Sequence, residues 1–201
     1  MRRPTKASVV TDFRRAQILD AARASFARHG FAGTTVDEIA HVAKLAKGTV
    51  YLYYRSKDDI VRDALDSGLA ALREATVPAI TAPGTFEDRL LRFLSGMLQH
   101  FDRHRDFMEL CQLELGAEMR RRARQAFGAI YAAQVDAWEL ALDEGVKHGE
   151  LAPVDPHHTA LVIVGLAHGL AMQRVRGWTN TPVAADVEQT STIIRKGLEQ
   201  R

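Results

Sequence analysis

Apolar residues recur at helical spacing along almost the whole chain. "RAQILDAARASFARHG" sets Ile18, Leu19, Ala22 and Phe26 on one face, and Gly30 is expected to stop it. In "TTVDEIAHVA", Val36, Ile39, Ala40 and Ala43 form the next apolar face. Thr35 and Glu38 there have the spacing of a capping box, each side chain satisfying a free backbone N–H of the other. After three residues a short helix is expected over about residues 47–53. Ser56 should cap a fourth helix running to about residue 74, with Asp58 and Asp59 suited to the positive end of its dipole. "TVPAITAPGT", with two prolines and a glycine, reads as a break. Further helices are expected over about residues 86–104, 107–115, 117–148, 156–177 and 183–198. No segment alternates with period two for long enough to be a strand. The expected fold class is all-α, with a small domain over residues 1–60 and a helical bundle over 61–201.

Composition refines this picture in two places. The 201 residues are 46% hydrophobic and 26% charged, as expected of a soluble globular chain. The net charge of +2 is unevenly spread, near +5 over residues 1–60 and −3 over the rest. A basic front and a mildly acidic body point the front toward an anion such as nucleic acid. The basic N-terminus lacks the apolar run of a secretory leader. The longest apolar stretch, "ALVIVGLAHGLAM", is interrupted by His168 and too short to span a bilayer. With a single cysteine, Cys111, no internal disulfide can form. A cytoplasmic location without membrane contact is the expectation.

Two short helices joined by a three-residue turn and braced by a preceding helix describe a helix-turn-helix unit, whose second helix enters the DNA major groove. The stretch "KLAKGTVYLYYRSKDD" suits that role. Gly48 would let backbone approach a phosphate. Lys47 and Lys57 bracket the helix with positive charge. Thr49, Tyr51 and Tyr53 offer hydroxyls to phosphates or base edges. Val50 and Tyr54, four apart, can share the inward face. A corner of an ordinary bundle would have the same pattern.

"ILDAARASFARHG", "TTVDEIA" and "AKGTVYLYYRSKDD" occur in that order within residues 18–61, and the segment closely resembles the DNA-binding domain of TetR-family transcriptional regulators. The resemblance covers about a quarter of the chain. It implies a dimeric all-α protein whose operator contacts lie near Thr35, Lys47, Gly48, Thr49, Tyr51, Tyr53 and Lys57. Two positions depart from the family pattern. Lys44 stands where the family usually has glycine at the start of the turn, and a positive φ there would cost about 1 kcal/mol. Ala46 stands where a serine is common, which removes a hydroxyl able to cap the helix or bind a phosphate.

Residues 61–201 resemble the family's effector-binding and dimerisation region much more loosely. Phe93, Met97, Phe107, Tyr131, Gln134, Trp138 and His168 mix aromatic surface with a few polar groups, as sites for a small apolar or amphipathic ligand do, although core packing produces the same composition. His100 and His104, at i and i+4, could share a metal, or simply be solvated. Cys111 could sense oxidants, or simply be a small buried side chain. No metal site or cofactor is expected. The run "EMRRRARQAF" is either a second anion site or the solvated start of a long helix. Dimerisation is expected through the last two helices, where small residues Gly165, Ala167 and Gly169 permit close approach. No pairing of nucleophile and base, nor repeated Glu-x-x-His, points to an enzyme. The sequence thus reads as a regulator, with repression expected, of double-stranded operator DNA.

Overall fold

A computed structural model of the chain describes residues 6–105, 107–108 and 116–198, and side chains from residue 9 onward. Eight helices are delimited among them: α1 Lys6–Gly33, α2 Val36–Val42, α3 Lys47–Tyr51, α4 Lys57–Thr81, α5 Phe86–Arg103, α6 Ala117–Lys147, α7 Pro156–Val175 and α8 Val183–Leu198. No strand occurs among the described residues. None of the helices is long and apolar enough to cross a membrane. Of the expected helix at 107–115 only residues 107–108 are among the described residues, and Cys111 lies outside them.

The chain divides into two compact units, Met1–Gly68 with Asp106–Ala123, and Leu69–Arg105 with Arg124–Arg201. α4 and α6 each run through from one unit to the other.

In the first unit, α1 packs on α2 and α2 on α3. Ile18, Ala22, Phe26, Ile39, Val50 and Ile60 are wholly buried at its centre. Gly30 breaks α1 at φ 71°, and one more helical turn follows before α2. Thr34 closes that junction by donating its hydroxyl to Gly30 O at 2.8 Å. The expected capping box at α2 forms only in part. Thr35 Oγ1 accepts from Glu38 N at 3.2 Å, but the Glu38 carboxylate lies 3.1 Å from His29 Nε2 on α1 instead of turning back. Ser56 caps α4 as expected, accepting from Asp59 N at 3.1 Å.

In the second unit, α5 packs against α7 and α8 around Phe93, Leu94, Met97, Leu98, Trp138 and Val164, which are fully buried. α4 continues through Pro78 to Thr81, seven residues past its expected end. Proline removes one helical hydrogen bond, but Thr76 and Ile80 on either side are fully buried, so packing carries the helix on. Arg92 of α5 then covers the open end of α4, donating to Ala79 O, Ala82 O and Pro83 O at 3.2–3.3 Å. The true break is confined to residues 82–85, where Thr85 and Asp88 form a full capping box for α5. Gly96 lets α4 come close to α5, since a Cβ there would stand 2.4 Å from Ala75 O.

One buried cation ties three helices of this unit together. Arg174 of α7 holds both carboxylate oxygens of Asp102, at the end of α5, at 2.9 and 2.7 Å. Its remaining nitrogen donates to Asp186 of α8 and, at 2.7 Å, to Thr181 O.

Candidate nucleic-acid interface and effector region

The turn between α2 and α3 is built by hydrogen bonds that end α2. Lys44 N donates to His41 O at 3.0 Å and Leu45 N to Ala40 O at 2.9 Å, the pair of bonds that defines a Schellman motif. The motif requires a left-handed residue between them, and Lys44 takes it at φ 54°, alone among the described non-glycine residues. The same bond pair ends α6 and α7, where Gly149 and Gly177 occupy the left-handed position. Leu45 tucks against the core behind the turn. Ala46 is the N-cap of α3 and makes no side-chain cap, so that end of the helix is open.

α3 is anchored from below by Val50, fully buried, and by Tyr54 just beyond it, which shares its inward face as expected. The Tyr54 hydroxyl donates to Asp63 Oδ2 at 2.6 Å, and Arg15 of α1 stacks on the ring at 5.2 Å. Burial and the bond to Asp63 push the Tyr54 phenol up to about 12, so it stays a donor. Outward from this anchor, Lys47, Gly48, Tyr51 and Leu52 are exposed, and Thr49 and Tyr53 are half-buried. Beyond its own stretch of helix, Gly48 has no heavy atom within 4 Å of where a Cβ would sit, so the protein leaves that face open. Thr35 is exposed at the start of α2. Leu52, 81% exposed, is the most exposed large apolar side chain among the described residues. Nothing in the chain's periodicity singles it out.

The two lysines of the expected site behave differently. Lys47 Nζ is exposed and paired with Asp37 Oδ2 of α2 at 2.6 Å. That hydrogen bond raises its pKa, so it is fully charged at neutral pH. Lys57 points inward. Its ammonium donates to Phe31 O at 2.6 Å and Thr34 O at 2.8 Å and sits 4.4 Å from the Phe31 ring centroid. Lys57 thus fastens the start of α4 to the α1–α2 junction.

Six of the seven residues expected to line a ligand site belong to the second unit; Phe107 does not, and it fills the core of the first unit with Ile18, Phe26 and Val50. Its neighbours in sequence gave no sign of this placement. Trp138 is fully buried and meets the edges of Phe86 and Phe93, each with ring centroids 5.5 Å apart. Gln134 and His168 are buried and bonded to each other at 2.9 Å. Tyr131 and Phe127 are half-buried, with ring centroids 5.3 and 4.9 Å from His168. Thr76 of α4, which accepts from Gln134 Nε2 at 2.8 Å, was not anticipated, because it lies in the stretch that read as a break.

His100 and His104 lie side by side with ring centroids 4.8 Å apart and their planes tilted by 55°. Among the described residues no group of three or more His, Cys, Asp or Glu side chains is placed to hold a metal ion. Within the basic run, Arg121 pairs with Glu118 at 2.7 Å and Arg122 with Asp66 at 2.7 Å.

A short exposed polar helix, held over a buried apolar base by a tight turn and a bracing helix, is the arrangement of a helix-turn-helix unit. Residues 18–64 match the family model described as bacterial regulatory proteins, tetR family. Relatives extend the likeness further along the chain. The HTH-type transcriptional regulator YhgD of Bacillus subtilis is 25% identical over 155 residues, covering 76% of this chain and 80% of its own. The fatty acid metabolism regulator protein of the same organism is 27% identical over 135 residues, covering 67% of this chain and 69% of its own. Among solved structures, a TetR/AcrR-family regulator from Thermobifida fusca superposes with a TM-score of 0.66 at 24% identity, covering 93% of this chain and 99% of its own. FadR of Bacillus subtilis in complex with stearoyl-CoA gives 0.67 at 23% identity, covering 92% and 99%. The chain is a DNA-binding transcriptional regulator whose residues 18–64 belong to the tetR family.

Proposed function

We propose that the protein is a homodimeric repressor that reads a two-fold symmetric double-stranded operator and releases it when a small apolar or amphipathic molecule binds within residues 61–201. The observation that carries the DNA half is α3 itself: Lys47, Gly48 and Tyr51 face outward from a helix whose opposite side is fully buried. In this reading Thr35, Lys47, Thr49, Tyr51 and Tyr53 touch phosphates or base edges, and Gly48 admits the backbone. Lys57, an operator contact by resemblance, serves the interface by positioning α3's support. Residues 1–60 form the reading domain.

Support for a dimer comes from the outer side of α7 and α8. Leu161, Val162, Leu166 and Ile193 are exposed there, alongside the exposed Gly165 and Gly169. An apolar face of this kind is covered when two such helices from each subunit form a four-helix bundle. A two-fold dimer sets its recognition helices roughly 34–36 Å apart, one turn of DNA. Support for the ligand comes from the aromatic and buried polar residues of the second unit, Phe93, Met97, Tyr131, Gln134, Trp138 and His168. It also comes from the relatives, one named for fatty acid metabolism and one bound to stearoyl-CoA. The ligand lowers DNA affinity only by as much as it prefers the state with misplaced recognition helices. The protein acts in the cytoplasm, by binding and without catalysis.

The test is selection of the purified protein on random duplex DNA, with affinity of the winners followed against salt and sedimentation run in parallel. A palindromic site, a steep salt slope and a dimer at micromolar concentration are expected. A monomer, or binding without sequence preference, would refute the reading.

A further inference from the structure

The interior of the second unit contains a chain of hydrogen bonds whose direction is set at one end. Thr76 Oγ1 lies 2.8 Å from Leu72 O and gives its only proton there. Toward Gln134 it can then only accept, so the amide turns Nε2 to Thr76 at 2.8 Å. Gln134 Oε1 is left facing His168 Nε2 at 2.9 Å. An amide oxygen has no proton to give, so the hydrogen is on the imidazole Nε2. Burial lowers the His168 pKa to about 4, so the ring is neutral at pH 7 and its Nδ1 is a bare lone pair. That Nδ1 is buried and has no hydrogen-bond partner among the described residues. Phe127, Tyr131 and Phe101 surround the ring, with centroids 4.9, 5.3 and 6.4 Å away. All these residues belong to the second unit.

A buried acceptor in an aromatic setting selects for a donor, because leaving it unpaired costs binding and stability. We infer that this regulator recognises its effector through a hydrogen-bond donor, the hydroxyl of an alcohol or phenol on an apolar body, accepted by His168 Nδ1. The inference rests on the effector reading above and narrows it. The carbonyl of a thioester would set lone pair against lone pair, and a carboxylate would be held only if the ring took up a second proton, which its burial opposes. Reversing the relay to suit such a group would require Gln134 to flip and Thr76 to abandon Leu72 O. His168 is therefore a specificity-determining residue, and Gln134 and Thr76 are positioning residues that hold its tautomer.

Nitrogen-15 NMR of the imidazoles in the full-length protein at pH 7 tests this, with three probes of one ring system: 1-naphthol, 1-methoxynaphthalene and 1-naphthoate. In the free protein, His168 should be protonated at Nε2 alone. Naphthol should move the Nδ1 resonance and bind at least about tenfold more tightly than methoxynaphthalene, with naphthoate weaker still. In His168→Phe, naphthol and methoxynaphthalene should bind alike. Should that variant fail to fold, Gln134→Leu should show both tautomers and a reduced preference. A free protein protonated at Nδ1, a naphthol that leaves the Nδ1 resonance unmoved, or equal binding of naphthol and methoxynaphthalene would overturn the donor rule and leave the effector site standing. Failure of all three probes to perturb any resonance of the second unit would overturn both.

Discussion

On α3 the polar groups of Lys47 and Tyr51 are exposed, as is Asp37, the partner of Lys47. In the second unit Thr76, Gln134, His168, Arg174 and Asp186 are buried, and each is bonded to a particular atom on another turn or another helix. An exposed polar group keeps its water until a ligand replaces it, so it contributes little to folding and is free to serve recognition. A buried one has already exchanged water for protein, so its loss is felt by the fold first. One region therefore tolerates changes that alter function alone. In the other, the proposed effector contact and stability are joined in the same side chains.

The largest expected effect tests the buried side of this contrast. Arg174→Ala leaves Asp186 buried and Asp102 without its bidentate partner, and should destabilise the protein by about 3–5 kcal/mol in urea unfolding. A loss below about 1 kcal/mol would show that water replaces the guanidinium and that the cluster is not effectively buried.

Next comes a pH dependence with a definite sign. His168 has a pKa near 6.5 when exposed and about 4 in the fold. The unfolded chain therefore binds its proton first as pH falls. The stability that this group supplies is complete above pH 6.5 and is lost between there and about pH 4. The amount is on the order of 3 kcal/mol. His168→Gln removes it without touching the carboxylates, so its stability should fall less steeply than wild type across that window. Parallel curves would break the assignment.

On the exposed side, Gly48→Ala should separate the two properties. The fold has open space for the methyl group, and alanine favours the helix, so stability should hold or rise by up to about 1 kcal/mol. Operator affinity should fall by at least about tenfold, since the methyl occupies the space a phosphate or base would take. Unchanged affinity would mean that this face does not meet DNA closely.

Two smaller changes concern the turn. Lys44→Gly should stabilise by about 1 kcal/mol, because glycine takes the left-handed position without strain, as Gly149 and Gly177 do. Ala46→Ser supplies the missing cap of α3, with roughly 0.5–1 kcal/mol in stability and tighter operator binding at equal salt. A thermal melt and a salt-matched titration read both, and a Lys44→Gly melting point at or below wild type would contradict the strain.

The same contrast explains what could be read from the sequence. Periodicity marked nearly every helix, because each buries one face. The inward pair Val50 and Tyr54 followed from spacing of four, and the strain at Lys44 from comparison with a glycine pattern. Pro78 misled because a local breaker signal carries no information about the buried neighbours that override it. Glu38 and Lys57 have the residue types of a capping box and a phosphate contact. Their partners, His29 and the carbonyls of Phe31 and Thr34, are set by how α1 folds back on α2 and α4. The Thr76–Gln134–His168 relay joins three helices at separations of 58 and 34 residues, and no one-dimensional pattern reports such a meeting.

The ion pair between Lys47 and Asp37 bears on ion traffic at the operator. A phosphate that takes Lys47 takes it from a carboxylate already serving as its counterion. The DNA sheds a cation at that contact, while the abandoned Asp37 attracts one, so the two exchanges partly cancel. In the proposed complex the salt slope of operator binding counts fewer ions than the phosphates touched, and a footprint and a salt titration should disagree by about one charge for each Lys47 engaged.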